Sequence, residues 1–245
     1  MKPKYPPHVP GLAATVGLSF LALTIGAHAQ LPEPYLYYNF EEGGGNTVTD
    51  LSGNDHTGEI RSTATADLSV DGAPDGPTPG GGIRFNAGAI DVRSIDVNAN
   101  LRDLAESGGS YTMTAWAKPI ESAGGEGFYF GQTNQGMHIG LRAGGRLHTA
   151  HWGADFSANT VLARDEWVHT AFVYDGPNDQ AWIYLNGELD GGPFGQRAPN
   201  GDGHFLVGAT NNGRPGNDFK GCLDEVGLWR EMLSPDDIQA LAEGA

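Results

Sequence analysis

The two ends of this chain carry matching segments that are typical of β-strands, each with carboxylates beside it. Residues 35–40 read Tyr-Leu-Tyr-Tyr-Asn-Phe and are followed by an acidic turn at residues 50–58. Residues 219–229 hold Asp224 and Glu225 within a run of aromatic and aliphatic residues. A fold that places its first and last strands side by side brings these carboxylates together. The ends therefore favour a β-fold in which the two termini are neighbours.

The chain between the ends indicates an all-β sandwich of two antiparallel sheets. Short strand-like segments are separated by Gly, Asn, Asp and Pro, and 38 residues are glycine. Residues 111–118 alternate strictly, with Tyr111 and Met113 facing one way and Trp116 the other. Residues 186–187 are Asn-Gly, the dipeptide favoured in a type I′ hairpin turn.

A short helix is predicted at the C-terminus. Ser234 is a good N-cap, and Pro235 suits the first helical position. The only cysteine, Cys222, lies in a predicted strand and excludes an intrachain disulfide. We expect it to be a buried structural thiol.

The first 29 residues have the pattern of a secretory signal peptide. Lys2 and Lys4 precede an uncharged apolar run at residues 11–27, and Ala-His-Ala at residues 27–29 is a cleavage signal. A membrane anchor is the weaker interpretation, since a span needs about 20 apolar residues. We therefore expect one domain, residues 30–245, in a secreted, extracellular or periplasmic protein.

The charge of the chain limits its partners. The formal net charge is −16, and removal of residues 1–29, which hold two lysines and no acid, leaves −18. Such a surface repels nucleic acid and anionic membranes. It offers oxygen ligands to hard cations, although solubility alone accounts for most surface carboxylates.

Seven segments in order resemble the laminin-G-like jelly roll of the concanavalin A-like lectin and glucanase superfamily, in its bacterial, pentraxin-related branch. They are residues 37–43 with 50–54, 82–86, 111–119, 166–176, 183–187, 205–208 and 221–226. The resemblance covers nearly the whole of residues 30–245. It implies two antiparallel sheets stacked face to face, with the first and last strands adjacent.

The resemblance also implies a structural calcium ion near the joined ends. We assign it to Asp50, Asn54 and Asp224, with Glu41 as a further candidate, because calcium binds six to eight oxygens from carboxylates, amides and tight turns. The alternative is that Asp50 and Asn54 cap a turn through the backbone, while Asp224 accepts backbone hydrogen bonds.

Residues 137–152 predict a hairpin closed at residues 143–145, with one apolar and one polar face. Met137, Ile139 and Leu141 point to the core. The polar face and the loop after it form a candidate saccharide platform, with Trp182 and Tyr184 extending it from a neighbouring strand. Its candidate ligand-binding residues are His138, Arg142, Arg146, His148, Trp152 and Asp155.

Structural roles account for other residues of these types. Trp116, Trp167 and Trp229 are expected in the core, and His151 is expected to be a buried histidine with its hydrogen bonds satisfied. His148 and His151 differ in parity, so they are not expected to share a metal.

Catalysis is not expected. Glucanases of the resembling superfamily carry an E-x-D-x-x-E motif, and only Glu188 and Asp190 match it, because Pro193 stands at the third acidic position. We therefore predict a secreted, non-catalytic, lectin-like carbohydrate-binding domain for a glycan or extracellular polysaccharide. The alternatives are an adhesive protein that binds another extracellular protein and a divergent polysaccharide hydrolase or lyase.

Overall fold

The first and last strands of the protein are paired in the middle of one sheet. The computed structural model describes residues 30–61, 65–78, 80–96, 109–120, 126–134, 136–142, 144–199, 203–210 and 218–245, so the predicted signal peptide lies outside it. β1 (Leu36–Tyr38) runs antiparallel to β16 (Gly221–Trp229), with Leu36 opposite Leu228 and Tyr38 opposite Val226. The predicted adjacency of the two ends is confirmed.

Two antiparallel sheets of eight strands stack as a sandwich, which confirms the predicted fold class. The first sheet has the order β14-β13-β12-β7-β16-β5-β4, with β1 added on β16, and the second has β11-β10-β9-β8-β15-β6-β3-β2. The remaining strands are β2 (Thr47–Val48), β3 (Gly58–Ile60), β4 (Thr65–Asp71), β5 (Gly81–Ala87), β6 (Ile90–Asp96), β7 (Tyr111–Pro119), β8 (Gly127–Gln132), β9 (His138–Arg142), β10 (Arg146–Ala150), β11 (Asp155–Val161), β12 (Val168–Asp175), β13 (Gln180–Leu185), β14 (Glu188–Gly195) and β15 (His204–Val207). In the part of the chain so described, no helix is long and apolar enough to cross a bilayer.

The core lies between the sheets and follows the predicted alternation. On β7, Tyr111 and Met113 belong to the core cluster. The same cluster contains Phe130 from β8 of the second sheet and Phe172 from the neighbouring strand β12. Burying each such aromatic or aliphatic side chain stabilises the fold by roughly 1.5–3 kcal/mol. Cys222 is buried and unpaired, as expected.

A second apolar cluster lies on the outer face of the first sheet, under the C-terminal helix. α1 (Pro235–Ala242) begins at the predicted N-cap Ser234, whose side chain accepts from the N–H of Asp237. The helix packs on Trp229, Trp182 and Tyr184. The expectation that Trp182 and Tyr184 extend the polar hairpin face was wrong, because β13 belongs to the other sheet.

The polar hairpin forms as predicted on the second sheet. β9 and β10 pair with Arg142 opposite Arg146 and with His148 opposite Gly140, and the N–H of Gly145 bonds to the carbonyl of Arg142 in the turn. Met137, Ile139, Leu141 and Leu147 all lie in the core cluster. Their polar neighbours in the sequence are therefore on the outer face of β9 and β10, next to the edge strand β11.

Candidate functional site

Two imidazoles and one carboxylate converge on the outer face of three neighbouring strands. Nε2 of His138 on β9 lies 3.1 Å from Oδ1 of Asp155 on β11. Nε2 of His148 on β10 lies 3.4 Å from the same oxygen. The two imidazole rings stack with their centroids 5.7 Å apart. Antiparallel pairing of β9, β10 and β11 therefore brings together three of the six predicted ligand-binding residues.

Arg142 joins this group to a second carboxylate. Its Nη1 contacts Oδ1 of Asp155 and lies 3.2 Å from Nε2 of His148. Its Nε lies 2.9 Å from Oε1 of Glu126. The guanidinium thus sits between two acids, and its outer part stays in contact with water. We call His138, Arg142, His148, Asp155 and Glu126 the imidazole–arginine cluster.

Aromatic rings border the cluster below and beside it. Phe128 is buried, with ring centroids 5.2 Å from His138 and 6.3 Å from His148. Trp152 meets His138 edge-on at 6.4 Å and is 53% exposed. Gly140 is paired with Phe128 on β8 and with His148 on β10, and its lack of a side chain lets the backbone of β8 come close. The cluster has a fixed apolar floor and one open indole face.

Burial keeps both imidazoles of the cluster neutral at pH 7. His138 is 4% and His148 is 2% exposed. Burial lowers the pKa of both, to about 4 for His148, where the positive charge of Arg142 adds to the effect. Partial burial acts to raise the pKa of Asp155, but the hydrogen bond from His138 and the charge of Arg142 outweigh it and lower that pKa.

The other histidine of this region has a structural role, as predicted. His151 is fully buried; its Nδ1 lies 2.6 Å from the carbonyl oxygen of Arg197, and its Nε2 lies 2.6 Å from the hydroxyl of Tyr111. Arg146 lies directly opposite Arg142, next to the turn of the hairpin. It is the one predicted ligand-binding residue that the described contacts do not connect to the cluster.

At the joined ends, Asp50 organises the turn that follows β2. Its Oδ1 accepts from the N–H of Tyr37 and of Ser52, and its Oδ2 accepts from the N–H of His56. Nδ2 of Asn54 donates to the carbonyl of Tyr35 and to Oγ of Ser52. Partial burial acts to raise the pKa of Asp50, but the hydrogen bonds outweigh it and lower that pKa. Both residues thus make the turn-capping contacts that were the alternative to metal binding.

Asp224 is held in a different acidic group. Its carboxylate is buried and accepts from the N–H of Ala73 and of Glu225, each at 2.8 Å. Glu225 accepts from the hydroxyl of Tyr37, whereas Asp50 binds the main-chain N–H of that same tyrosine. Asp50 and the Asp224–Glu225 pair therefore lie at opposite ends of Tyr37.

Glu41 completes this acidic group, and glycines hold the backbone against it. Oε1 of Glu41 accepts from the N–H of Gly81 at 2.8 Å. A Cβ on Gly72 would lie 2.4 Å from Oδ2 of Asp224, and a Cβ on Gly80 would lie 2.3 Å from the carboxylate of Glu41. A Cβ on Gly72 would also lie 2.2 Å from the carbonyl oxygen of Gly81, so glycine is required at residue 72. At residue 80 the end of the exposed Glu41 side chain could move away.

The acidic group carries uncompensated negative charge. Burial, followed by the charges of Glu225 and Glu41, raises the pKa of Asp224 to about 7. Burial likewise raises the pKa of Glu225. None of the ion pairs found among the described residues reaches Asp224, Glu225 or Glu41. Asp224 and Glu225 are buried, whereas Glu41 is exposed. The buried oxygens of like charge on Asp224 and Glu225 fit a hard divalent cation such as calcium.

Asp190, one of the two acids that matched the glucanase motif, joins the edges of the two sheets. Oδ1 and Oδ2 of Asp190 accept from the hydroxyl and the N–H of Thr160, and the carbonyl of Asp190 accepts from Nδ2 of Asn159. The bonds connect β14 of the first sheet to β11 of the second.

Sequence reasoning missed Glu126, Phe128 and Ser157, which complete the cluster. Glu126 stands just before β8, and no local pattern connects it to Arg142. Phe128 reads as an ordinary core residue, but a register shift between Phe128 and Phe130 turns it to the outer face. Ser157, with its Oγ 3.2 Å from Nδ1 of His148, becomes visible only when β11 is paired with β10.

A family model described as the concanavalin A-like lectin/glucanases superfamily matches residues 93–239, more than half of the chain. The search of curated proteins finds no match. Similar solved structures include domain 4 of AbnA, a GH43 extracellular arabinanase from Geobacillus stearothermophilus, in complex with arabinotriose. That domain is 21% identical, with a TM-score of 0.63 over 87% of this chain and 100% of its own.

Two larger proteins contain a similar domain. The Trypanosoma rangeli sialidase is 14% identical, with a TM-score of 0.62 over 87% of this chain and 34% of the sialidase. The binding domain of Paraclostridial Mosquitocidal Protein 1 is 17% identical, with a TM-score of 0.61 over 86% of this chain and 52% of that chain. The chain thus spans about a third of the sialidase. At these identities the likeness is one of fold alone.

Proposed function

Because this chain belongs to the concanavalin A-like lectin/glucanases superfamily, we propose that it is a carbohydrate-binding domain whose ligand lies on Trp152 and the imidazole–arginine cluster. The observation that carries the proposal is the exposed indole of Trp152 next to polar groups held in place on a rigid sheet. Sugars stack their C–H faces on aromatic rings, and fixed Arg and carboxylate groups bond their hydroxyls.

The chemistry of the cluster suits a neutral or acidic sugar. Arg142 offers N–H donors, and Asp155 and Glu126 offer acceptors, all at the water-facing edge of the site. Related folds have been solved with arabinotriose and with sialic acid bound to their proteins. Arabino-oligosaccharides and sialylated glycans are therefore the first ligands to test.

We propose further that the domain does not cleave its ligand. A glycosidase needs one protonated and one ionised carboxyl group. The pKa of Asp155 is lowered by His138 and Arg142, and both Asp155 and Glu126 are ion-paired with Arg142, so neither is suited to act as the general acid. Asp190 is occupied by Thr160.

Trp152→Ala is expected to weaken glycan binding by roughly 30-fold, the loss typical of an interfacial tryptophan. Binding is measured on a glycan array and by calorimetry with the best oligosaccharide. Trp152→Phe keeps an aromatic face and should retain most of the affinity. Leu189→Ala, which removes another exposed apolar side chain in the other sheet, is the matched control.

Three outcomes contradict the proposed function. Glycan binding that Trp152→Ala leaves unchanged places the ligand elsewhere on the protein. An array without any bound glycan, combined with capture of a defined extracellular protein, favours the adhesive alternative. Release of reducing or unsaturated ends from a bound polysaccharide contradicts the non-catalytic assignment.

We propose that a calcium ion with a structural role binds at the buried pair Asp224 and Glu225. Glu41 does not form a group of three close donor atoms with them. The support is the buried charge of these two carboxylates, which no ion pair among the described residues reaches, and the backbone of Gly72 packed against Asp224. Of the residues predicted from the sequence, Asp224 has these surroundings, whereas Asp50 and Asn54 are engaged in their own turn.

Calcium at about 100 times its dissociation constant should stabilise the protein by about 2.7 kcal/mol and raise its melting temperature by roughly 5–10 °C. The measurement compares thermal unfolding in calcium and in chelator. Asp224→Asn should lose this response, and Asp236→Asn, at an exposed acid of α1, should keep it. Equal melting temperatures in calcium and chelator for the unmodified protein would contradict the proposal.

We also propose that the protein is exported and processed before Gln30. The support is the basic, apolar and small-residue pattern of residues 1–29. Mass spectrometry of the protein recovered from outside the cytoplasm tests this, and a retained N-terminal segment contradicts it.

A further inference from the structure

We propose that His138, His148 and Asp155 form a binding site for a divalent transition metal of the zinc class. Each residue comes from a different strand, β9, β10 and β11, and each offers one donor atom. These three atoms lie within 4.8 Å of one another, the one such group of three or more potential metal-binding side chains among the described residues. The proposal goes beyond the proposed function and stands whether or not a glycan binds.

The distances between the donor atoms match a tetrahedral site. Zinc binds imidazole nitrogen and carboxylate oxygen at roughly 2.0–2.2 Å, so two ligands of a tetrahedron are about 3.3–3.5 Å apart. Oδ1 of Asp155 lies 3.1 Å from Nε2 of His138 and 3.4 Å from Nε2 of His148. The donor nitrogens of the two imidazoles lie within 4.8 Å of each other, so movement of the rings toward a shared ion would complete the geometry and leave a fourth position open to water.

The donors have the protonation state that a metal needs. Burial keeps both imidazoles neutral, so their lone pairs are available at pH 7 without displacement of a proton from an imidazolium. Asp155 is ionised under the same conditions. Coordination through Nε2 places the remaining proton on Nδ1, and for His148 this nitrogen lies 3.2 Å from Oγ of Ser157, which can accept it.

Arg142 competes with a metal for this site. Its Nη1 lies against Asp155 and 3.2 Å from Nε2 of His148, in the space that the metal would take. The side chain is 36% exposed and already pairs through Nε with Glu126, so it can withdraw toward that acid. Metal and guanidinium are therefore alternative occupants, and Arg142 lowers the affinity for metal.

The preference for a zinc-class ion follows from the donor set. Two imidazoles and one carboxylate suit zinc, cobalt or nickel, whereas calcium selects sites made of oxygen alone. Calcium should therefore not compete at this site, and zinc at His138 should leave the calcium response of Asp224 unaffected.

The test is a titration of the chelator-treated protein with Co²⁺, followed by visible absorption, and with Zn²⁺, followed by calorimetry. We expect one equivalent to bind with the intense visible bands of tetrahedral cobalt. His138→Gln and Asp155→Asn should each weaken binding at least tenfold, and Arg142→Ala should strengthen it by roughly tenfold. Asp155 is exposed, so its variant is expected to fold even if His138→Gln does not.

His204→Gln is the matched control, since His204 pairs with Asp91 at 3.2 Å but lies outside the three-donor group. Its binding of Co²⁺ should equal that of the unmodified protein. The proposal is overturned if neither the unmodified protein nor Arg142→Ala shows the tetrahedral cobalt spectrum. It is also overturned if His204→Gln loses the signal as fully as Asp155→Asn. Metal binding without glycan binding contradicts only the proposed function.

Discussion

The protein is expected to lose about 6 kcal/mol of its free energy of unfolding between pH 7 and pH 4, because buried histidines must become protonated. His151 and His169 are both buried, and burial lowers their pKa values to about 4 and about 3. A group whose pKa is depressed by folding contributes stability above its unfolded pKa of 6.5. That contribution is lost as the pH falls toward the folded pKa.

The size of the effect is comparable to the whole stability of a domain. By pH 4 each of the two histidines has cost about 3 kcal/mol, at 1.36 kcal/mol per pKa unit. His148 adds a similar loss, and Asp224, whose pKa is raised to about 7, offsets about 3 kcal/mol as it becomes protonated. The net loss is about 6 kcal/mol, against a typical stability of about 5–15 kcal/mol.

Urea unfolding at a series of pH values measures this loss. His169→Gln removes one buried imidazole, and it should reduce the loss between pH 7 and pH 4 by about 3 kcal/mol. His204→Gln, at a half-exposed histidine, should leave the loss unchanged. A pH dependence that His169→Gln does not alter would show that His169 is already protonated without cost.

Gly140→Ala is expected to destabilise the protein by about 3–5 kcal/mol, through steric overlap and backbone strain together. Gly140 has φ +151°, a conformation that side chains rarely adopt. Its Cβ would lie 2.5 Å from the backbone nitrogen of Tyr129 and 2.7 Å from Cα of Phe128. Both atoms belong to the backbone of β8, which forms the floor of the cluster, so relief requires β8 to move.

Gly144→Ala, in the same hairpin, tests backbone strain without steric overlap. Gly144 has φ +87°, but a Cβ there meets nothing within 4 Å. It should cost only about 1 kcal/mol. Thermal unfolding measures both variants, and Gly140→Ala should lower the melting temperature by roughly 10 °C. Equal shifts for the two alanines would mean that β8 accommodates the new side chain freely.

Local patterns predicted the sandwich and the polar hairpin. Alternation has a period of two along each strand, so it assigned Tyr111, Met113 and Leu141 to the core and His138 to the outer face. The Gly-rich turn set the hairpin register, which placed His148 on the same face as His138. These features depend on residues close in sequence, where chain geometry leaves few choices.

Long-range placement could not be read from the same patterns. Nothing local to Trp182 reveals that β13 lies in the other sheet. The end strands were predicted to be neighbours, and they are. Their carboxylates nevertheless stay apart by the length of one side chain, because Asp50 binds the backbone N–H of Tyr37 and Glu225 binds its hydroxyl. Trp116 and Trp229 are buried as expected, and Trp229 lies in the second apolar cluster. Trp167, also expected in the core, is only partly buried.

The position of the last strand also sets the order in which the protein can fold. β16 lies between β7 and β5, and its C-terminal half pairs with β1, so it joins segments from both halves of the chain. Until residue 229 has been synthesised, β5 and β7 lack the strand that connects them. Assembly of the first sheet therefore waits until β16 has been synthesised, and closing contacts across such long sequence separations makes this step slow.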